Sequence, residues 1–137
     1  MRVFVDAGGW IAIVNDTDKY HPKAKAHYLQ LLKVRTNLLT SNYVLAETYT
    51  WLRYHAGYRY AIRFHKMVTA AANLGNLKIL WVDRAIAGTA WEIFERYSDQ
   101  VLSFTDCTSF VLARHAKVNE VFAFDDDFVV MGFVMRP

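Results

Sequence analysis

Asp6, Glu47, Asp106 and Asp125 each adjoin an apolar segment with the character of a buried strand or helix face. Asp6 ends the run Val3 to Val5, and Glu47 lies within Tyr43 to Trp51. Asp106 follows Val101 to Thr105, and Asp125 closes Val121 to Phe124. Carboxylates so placed converge only at a cost, because two unit charges at ~4 Å and an effective dielectric near 20 repel by roughly 4 kcal/mol. A cluster of such groups calls for a counter-ion or for protonation. An all-oxygen donor set suits hard divalent cations such as Mg²⁺ or Mn²⁺.

Each acid also has a simpler reading. Ser103 to Asp106 has capping-box spacing, and Asp6 precedes Ala7-Gly8-Gly9 as a turn residue would. Asp125, Asp126 and Asp127 make an acidic run typical of a solvated turn, with Asp125, next to Phe124, as its inward member. Glu47 sits at the edge of an apolar helix face and is expected to look inward. It is the coincidence of all four that points to a metal pocket.

The elements that must position these acids follow from periodicity. Short apolar runs alternate with stretches of helical period, the pattern of a parallel sheet flanked by helices. Strands are expected at Val3 to Val5, Leu38 to Thr40, Lys78 to Val82, Val121 to Phe124 and Val130 to Met135. Helices are expected from near Gly9, from Pro22 to Lys33 with His21 as cap, and from Asn42 to Tyr54. Others should run from Tyr58 to Leu74, Arg84 to Tyr97 and Phe104 to Ala116. In such sheets ligands gather beyond the carboxyl ends of the strands, where Asp6 and Asp125 belong.

The 137 residues, 54% of them apolar, fit one domain spanning 1–137. A net charge of +3 is too small to name a nucleic-acid partner by itself. The single cysteine, Cys107, excludes an internal disulfide and offers no zinc pair, which fits a cytoplasmic setting. No signal peptide or membrane-spanning run is expected. The five histidines lack zinc spacing and read as surface residues, and no GxGxxG, Walker A or GxSxG motif occurs. Arg53 to Lys66 mixes cations with tyrosines, as interfaces do. Trp51, Tyr54, Tyr58 and Phe64 suggest an exposed aromatic surface and self-association as a homodimer. Lys19, Lys23, Arg53, Arg84 and Arg114 are candidate phosphate contacts.

Four segments, Val3 to Asp6, Ser41 to Thr48, Leu102 to Cys107 and Ala123 to Phe128 with Gly132 beyond, resemble the PIN-domain nucleases and, within them, the VapC-like toxins of toxin–antitoxin pairs. The resemblance spans nearly the whole chain. It implies an α/β/α three-layer sandwich around a mainly parallel sheet of four to five strands. It further implies an acidic pocket for one or two Mg²⁺ or Mn²⁺ ions, hydrolysis of RNA, frequently a tRNA, and a small antitoxin partner. Asp6, Glu47, Asp106 and Asp125 correspond to the family's acids, and Thr105 to its frequent hydroxyl residue. The chain departs from the pattern after Asp6, where Ala7 stands in place of a Ser or Thr. Two alternatives lie beside this one: a non-catalytic PIN-fold module that only binds RNA or protein, and a signalling receiver domain. The receiver reading expects paired acids after the first strand and a lysine after a late one, and the chain has neither.

Overall fold

Five strands, β1 (Arg2–Val5), β2 (Asn37–Ser41), β3 (Leu77–Leu80), β4 (Glu120–Phe122) and β5 (Met135–Arg136), form one sheet in the computed structural model, which describes Met1–Pro137 throughout. The order is β3-β2-β1-β4-β5, every neighbouring pair parallel. The seven helices are α1 (Ala7–Val14), α2 (His21–Lys33), α3 (Asn42–His55), α4 (Tyr58–Asn73), α5 (Arg84–Arg96), α6 (Phe104–His115) and α7 (Asp127–Val130). Helices α1 to α4 pack against one another, as do α5 and α6, and the two groups enclose the sheet. Val3, Phe4 and Val5 are wholly buried on both faces of the central strand, which is why β1 reads as a continuous apolar run rather than an alternating one.

Local chemistry sets the helix starts. The Ser41 hydroxyl accepts from Val44 N–H to open α3, and the Asp83 carboxylate accepts from Ile86 N–H to open α5. The expected capping box is present at α6: Ser103 Oγ accepts from Asp106 N–H, and Asp106 Oδ2 accepts from Ser103 N–H. Gly75, at φ +80, ends α4 in the left-handed region.

Several expectations need correction. Val130 is helical, because residues 127–130 make the single turn of α7 that buries Phe128 against Phe110, and the last strand is confined to Met135–Arg136. Strands β3 and β4 stop at Leu80 and Phe122, short of Val82 and Phe124. Helix α1 begins at Ala7 rather than near Gly9, and Tyr20, not His21, caps α2. His27 is half-buried against Phe122, and its burial lowers its pKa below the usual histidine range. Phe64 belongs to the core beside Trp10, leaving Tyr54 and Tyr58 as exposed aromatics and Trp51 half-covered. No helix is long and apolar enough to cross a membrane.

A buried relay ties the two central strands to α1. Trp10 Nε1 donates to Thr40 Oγ1 at 3.0 Å, and that hydroxyl donates to Val5 O at 3.0 Å. Replacing Thr40 by Val keeps the shape but strands the indole N–H, and the expected loss is about 1–3 kcal/mol in urea denaturation. An unchanged midpoint would show that the relay contributes nothing to stability.

Candidate active site

Strand order reverses about β1, so the loops after β1 and β4 open a crevice between them, and the acids lie there. Asp6 leaves β1 with extended backbone and caps α1, its own N–H donating to Phe122 O of β4 at 3.1 Å. Asp106 occupies the first turn of α6, fixed by the capping box. Asp125 lies three residues past the end of β4, and its Oδ1 accepts from Asp127 N–H at 3.0 Å. Glu47 comes from α3, whose inner face is Val44, Leu45, Thr48 and Leu52. A polar crevice behind an apolar wall results.

The charges have no internal cation to offset them. Asp6 is 6% exposed, and burial lifts its pKa to about 8, with the charges of Asp106, Glu47 and Asp125 adding and the Ala7 N–H working the other way. Burial also raises Glu47, with Asp106 contributing, against a lowering by the Thr105 hydroxyl. Asp106 is raised first by burial and then by Asp125, against its bonds to Ser103. These mutual effects place all four sequence-identified acids within one electrostatic neighbourhood.

The structure revises two of the individual readings and adds one residue. Glu47 as a residue is exposed, lying on the rim beside Thr105, Tyr43 and Trp51, with its carboxylate partly covered and turned to Thr105. Asp125 is exposed, and Asp127, read from the sequence as a solvated turn residue, is the half-buried member of the run. Oxygen atoms of Asp106, Asp125 and Asp127 all lie within 4.8 Å of one another, close enough to share an ion. Burial and then the Asp125 charge push Asp127 upward. The available signal was its place directly before the apolar Phe128, whose burial anchors α7 and turns Asp127 back toward Asp125.

The basic candidates divide. Lys19 lies over the Tyr20 ring at 4.9 Å, and Tyr20 stacks on Phe124 at 4.4 Å, which puts this lysine beside the Asp125 loop. Lys23 is exposed on the first turn of α2, and Arg84 opens α5. Arg53 is exposed at the far end of α3 over Tyr58. Arg114 is a structural tie, because its guanidinium donates to Met131 O at 2.9 Å and covers Phe133. Its side chain is nonetheless exposed.

Comparison with known proteins agrees with this geometry. The family model for the PIN domain matches residues 3–134. The chain is 35% identical over 137 residues to the 23S rRNA-specific endonuclease VapC20 of Mycobacterium tuberculosis, covering 98% of each chain. The crystal structure of that VapC20, described as a Sarcin-Ricin loop cleaving toxin, superposes with a TM-score of 0.83 at 34% identity, covering 98% of this chain and 99% of that one. VapBC2 from Rickettsia felis, bound to a DNA fragment from its promoter, shares the fold with a TM-score of 0.72 at 12% identity, over 99% of this chain and 98% of that one. The match over almost the whole length, together with acids at the carboxyl ends of β1 and β4 and on α3 and α6, places this chain in the PIN-domain family.

Proposed function

We propose that this protein is a metal-dependent endoribonuclease and the toxin of a toxin–antitoxin pair. The observation that carries the reading is the approach of Asp106, Asp125 and Asp127 to within 4.8 Å beside a buried Asp6. An oxygen-only donor set of this kind fits Mg²⁺ or Mn²⁺ and fits zinc or copper poorly. Asp6, Asp106, Asp125 and Asp127 would hold one or two such ions, with Glu47 at the rim. The ion would supply Lewis-acid polarisation of a phosphate oxygen and a more acidic water.

The chain's own residues do the rest. The capping box holds Asp106 in a fixed rotamer, so its second oxygen stays turned to the crevice at no ordering cost during binding. Asp6, at about 8, carries a proton at neutral pH until a cation takes its place. Lys19, Lys23, Arg53 and Arg84 would position the RNA backbone around an otherwise repulsive acidic floor. In-line hydrolysis would leave 5′-phosphate and 3′-hydroxyl ends. The VapC20 likeness makes ribosomal RNA the first substrate to try, in place of the tRNA expected from the sequence. A small antitoxin would cover the crevice, and self-association through Tyr54 and Tyr58 would appear in light scattering as a mass above 15.9 kDa.

The test is incubation with ribosomal RNA in Mg²⁺, Mn²⁺ or EDTA, with mapping of new 5′ ends. Discrete cleavage that requires metal is expected; RNA binding that persists in EDTA with no cleavage under any condition would favour a non-catalytic module. Asp127→Asn should weaken Mn²⁺ binding about tenfold by calorimetry. Unaltered affinity would remove Asp127 from the site.

A further inference from the structure

The opposite end of the sheet, where the strands begin, carries the reverse charge. An open groove of about 600 Å³ runs there between the β2–β3 face and the end of α6, and Arg2, Lys78, His115, Asn37 and Asn76 supply its polar lining. A second hollow shares Asn37, Gly75 and Asn76 and extends the groove to Arg35. No carboxylate lines either part. The segments 1–2, 33–37, 73–78 and 114–119, which lead into β1 to β4, contain Arg2, Lys33, Arg35, Lys78, Arg114 and Lys117 and not one Asp or Glu.

The sheet register explains why the nearest acid does not neutralise this surface. Arg2 pairs with Asn37 and Leu39 with Lys78, so those side chains share one face. Glu120 pairs with Val3, on the other face, where its charge acts on His27 of α2. Arg2 is also held in place: one guanidinium nitrogen donates to Ala116 O at 2.9 Å, while its backbone N–H donates to Asn119 Oδ1. Arg35 and Lys117 both adopt positive φ, at 56° and 52°, in the turns that close α2 and α6 beside the groove. The small net charge of +3 therefore hides a separation of acids to one end of the sheet and cations to the other. From Asp106 to His115 along α6 the two poles are about 14 Å apart, at 1.5 Å per residue.

We propose that this groove is an exosite that binds the phosphate backbone of a folded RNA while a more distant part of the same RNA enters the acidic crevice. Donors in fork and amide form, with no competing carboxylate, suit phosphate oxygens. A polyanion approaching the protein is attracted to this pole and repelled by the acidic one until cations fill the crevice. Contact here therefore adds affinity only for RNA large enough to span both ends, and gives none to a short fragment. The inference rests on the endoribonuclease reading above.

The experiment compares wild type with Arg35→Glu/Lys78→Glu, two exposed residues outside the acidic crevice, on intact ribosomal RNA and on an oligonucleotide of about 4 nucleotides spanning the mapped cut, whose arms of about 7 Å at ~3.4 Å per nucleotide fall short of the groove. The expected result is a KM for ribosomal RNA raised about tenfold or more with kcat unchanged, and no change on the oligonucleotide. The slope of log KM against log salt should fall by roughly 1.5, at ~0.7–0.9 for each phosphate the variant no longer neutralises. Wild-type cleavage with an identical KM and salt slope in the variant would overturn the exosite alone. Equal losses on both substrates would also overturn it, placing these charges in general attraction. Absence of cleavage by wild type would instead overturn the endoribonuclease reading. A melting temperature matching wild type establishes that the variant is folded; a second variant, Lys78→Gln, repeats the comparison if it does not match.

Discussion

Asp6→Asn should abolish RNA cleavage, by a factor of about 10³ or more, and at the same time make the metal-free protein more stable. The two effects share one cause. In the unfolded chain Asp6 ionises near its ordinary value of 3.8, whereas in the fold its pKa is raised to about 8 by burial and by Asp106, Glu47 and Asp125. Between those values the folded state binds the extra proton, so stability falls as pH rises through this window and levels off above it. At pH 8 the ceiling on relief is about 5 kcal/mol. An amide still loses hydration on burial, so roughly 2–4 kcal/mol is the expected gain, shrinking toward pH 4. Urea denaturation in EDTA at pH 5 and pH 8 measures it. A variant less stable than wild type at pH 8 would show that Asp6 is structural and that the crowding of charge is not costly.

Gly9→Ala should cost roughly 2–4 kcal/mol of stability and weaken Mn²⁺ binding, although Gly9 touches no proposed ligand itself. A Cβ at Gly9 would come within 2.6 Å of Phe122 O and 2.9 Å of the Phe122 ring. The first of these atoms is backbone, so either α1 or β4 must shift. The same carbonyl accepts the Asp6 N–H, and any shift therefore separates the loop holding Asp6 from the loop holding Asp125 and Asp127. Gly8→Ala is the internal control, since its Cβ would meet nothing nearer than Asp6 Oδ2 at 4.0 Å, and alanine favours helix by about 1 kcal/mol. If both variants melt alike, close packing of α1 on β4 is not what demands glycine.

This contact also accounts for the Ala7-Gly8-Gly9 sequence after Asp6. As a string it reads as a turn. In the fold Gly9 is helical and serves the approach of a helix to a strand. Such a requirement is set by residues more than a hundred positions away, and no local pattern displays it.

What was legible in the sequence is what local chemistry dictates. The apolar run of β1 and the cap at Ser103 follow from propensity and hydrogen bonding within a few residues. The parallel sheet with helices on both sides followed from alternation of these runs. The acid cluster was legible because each member ends or borders an apolar element, and topology then brings the carboxyl ends together. Residues 130 to 135 read as a strand for a physical reason. Val129, Val130 and Val134 have strand character, yet all three are exposed, and it is Phe128, Met131 and Phe133 that turn to the core around the α7 turn. Asp127 stands just ahead of that segment, and its one local mark, the apolar Phe128 beside it, takes on meaning only with the α7 turn folded.

The basic groove shows the complementary limit. Its cations are scattered through four separate segments, and only the register of β1 with β2 and of β2 with β3 gathers them on one face. The overall charge conceals both poles.

The most direct test of the metal site at the centre of this account is Mn²⁺ titration calorimetry of the metal-free protein at pH 7 in two buffers of different ionisation enthalpy. Asp6, at about 8, is largely protonated at that pH, so an ion entering the crevice must displace its proton. Close to one proton released per protein is expected, falling toward none at pH 9 and absent in Asp6→Asn. Binding with no proton release at pH 7, or no binding of Mn²⁺ at all, would contradict the claim that the buried carboxylates form a divalent-cation site.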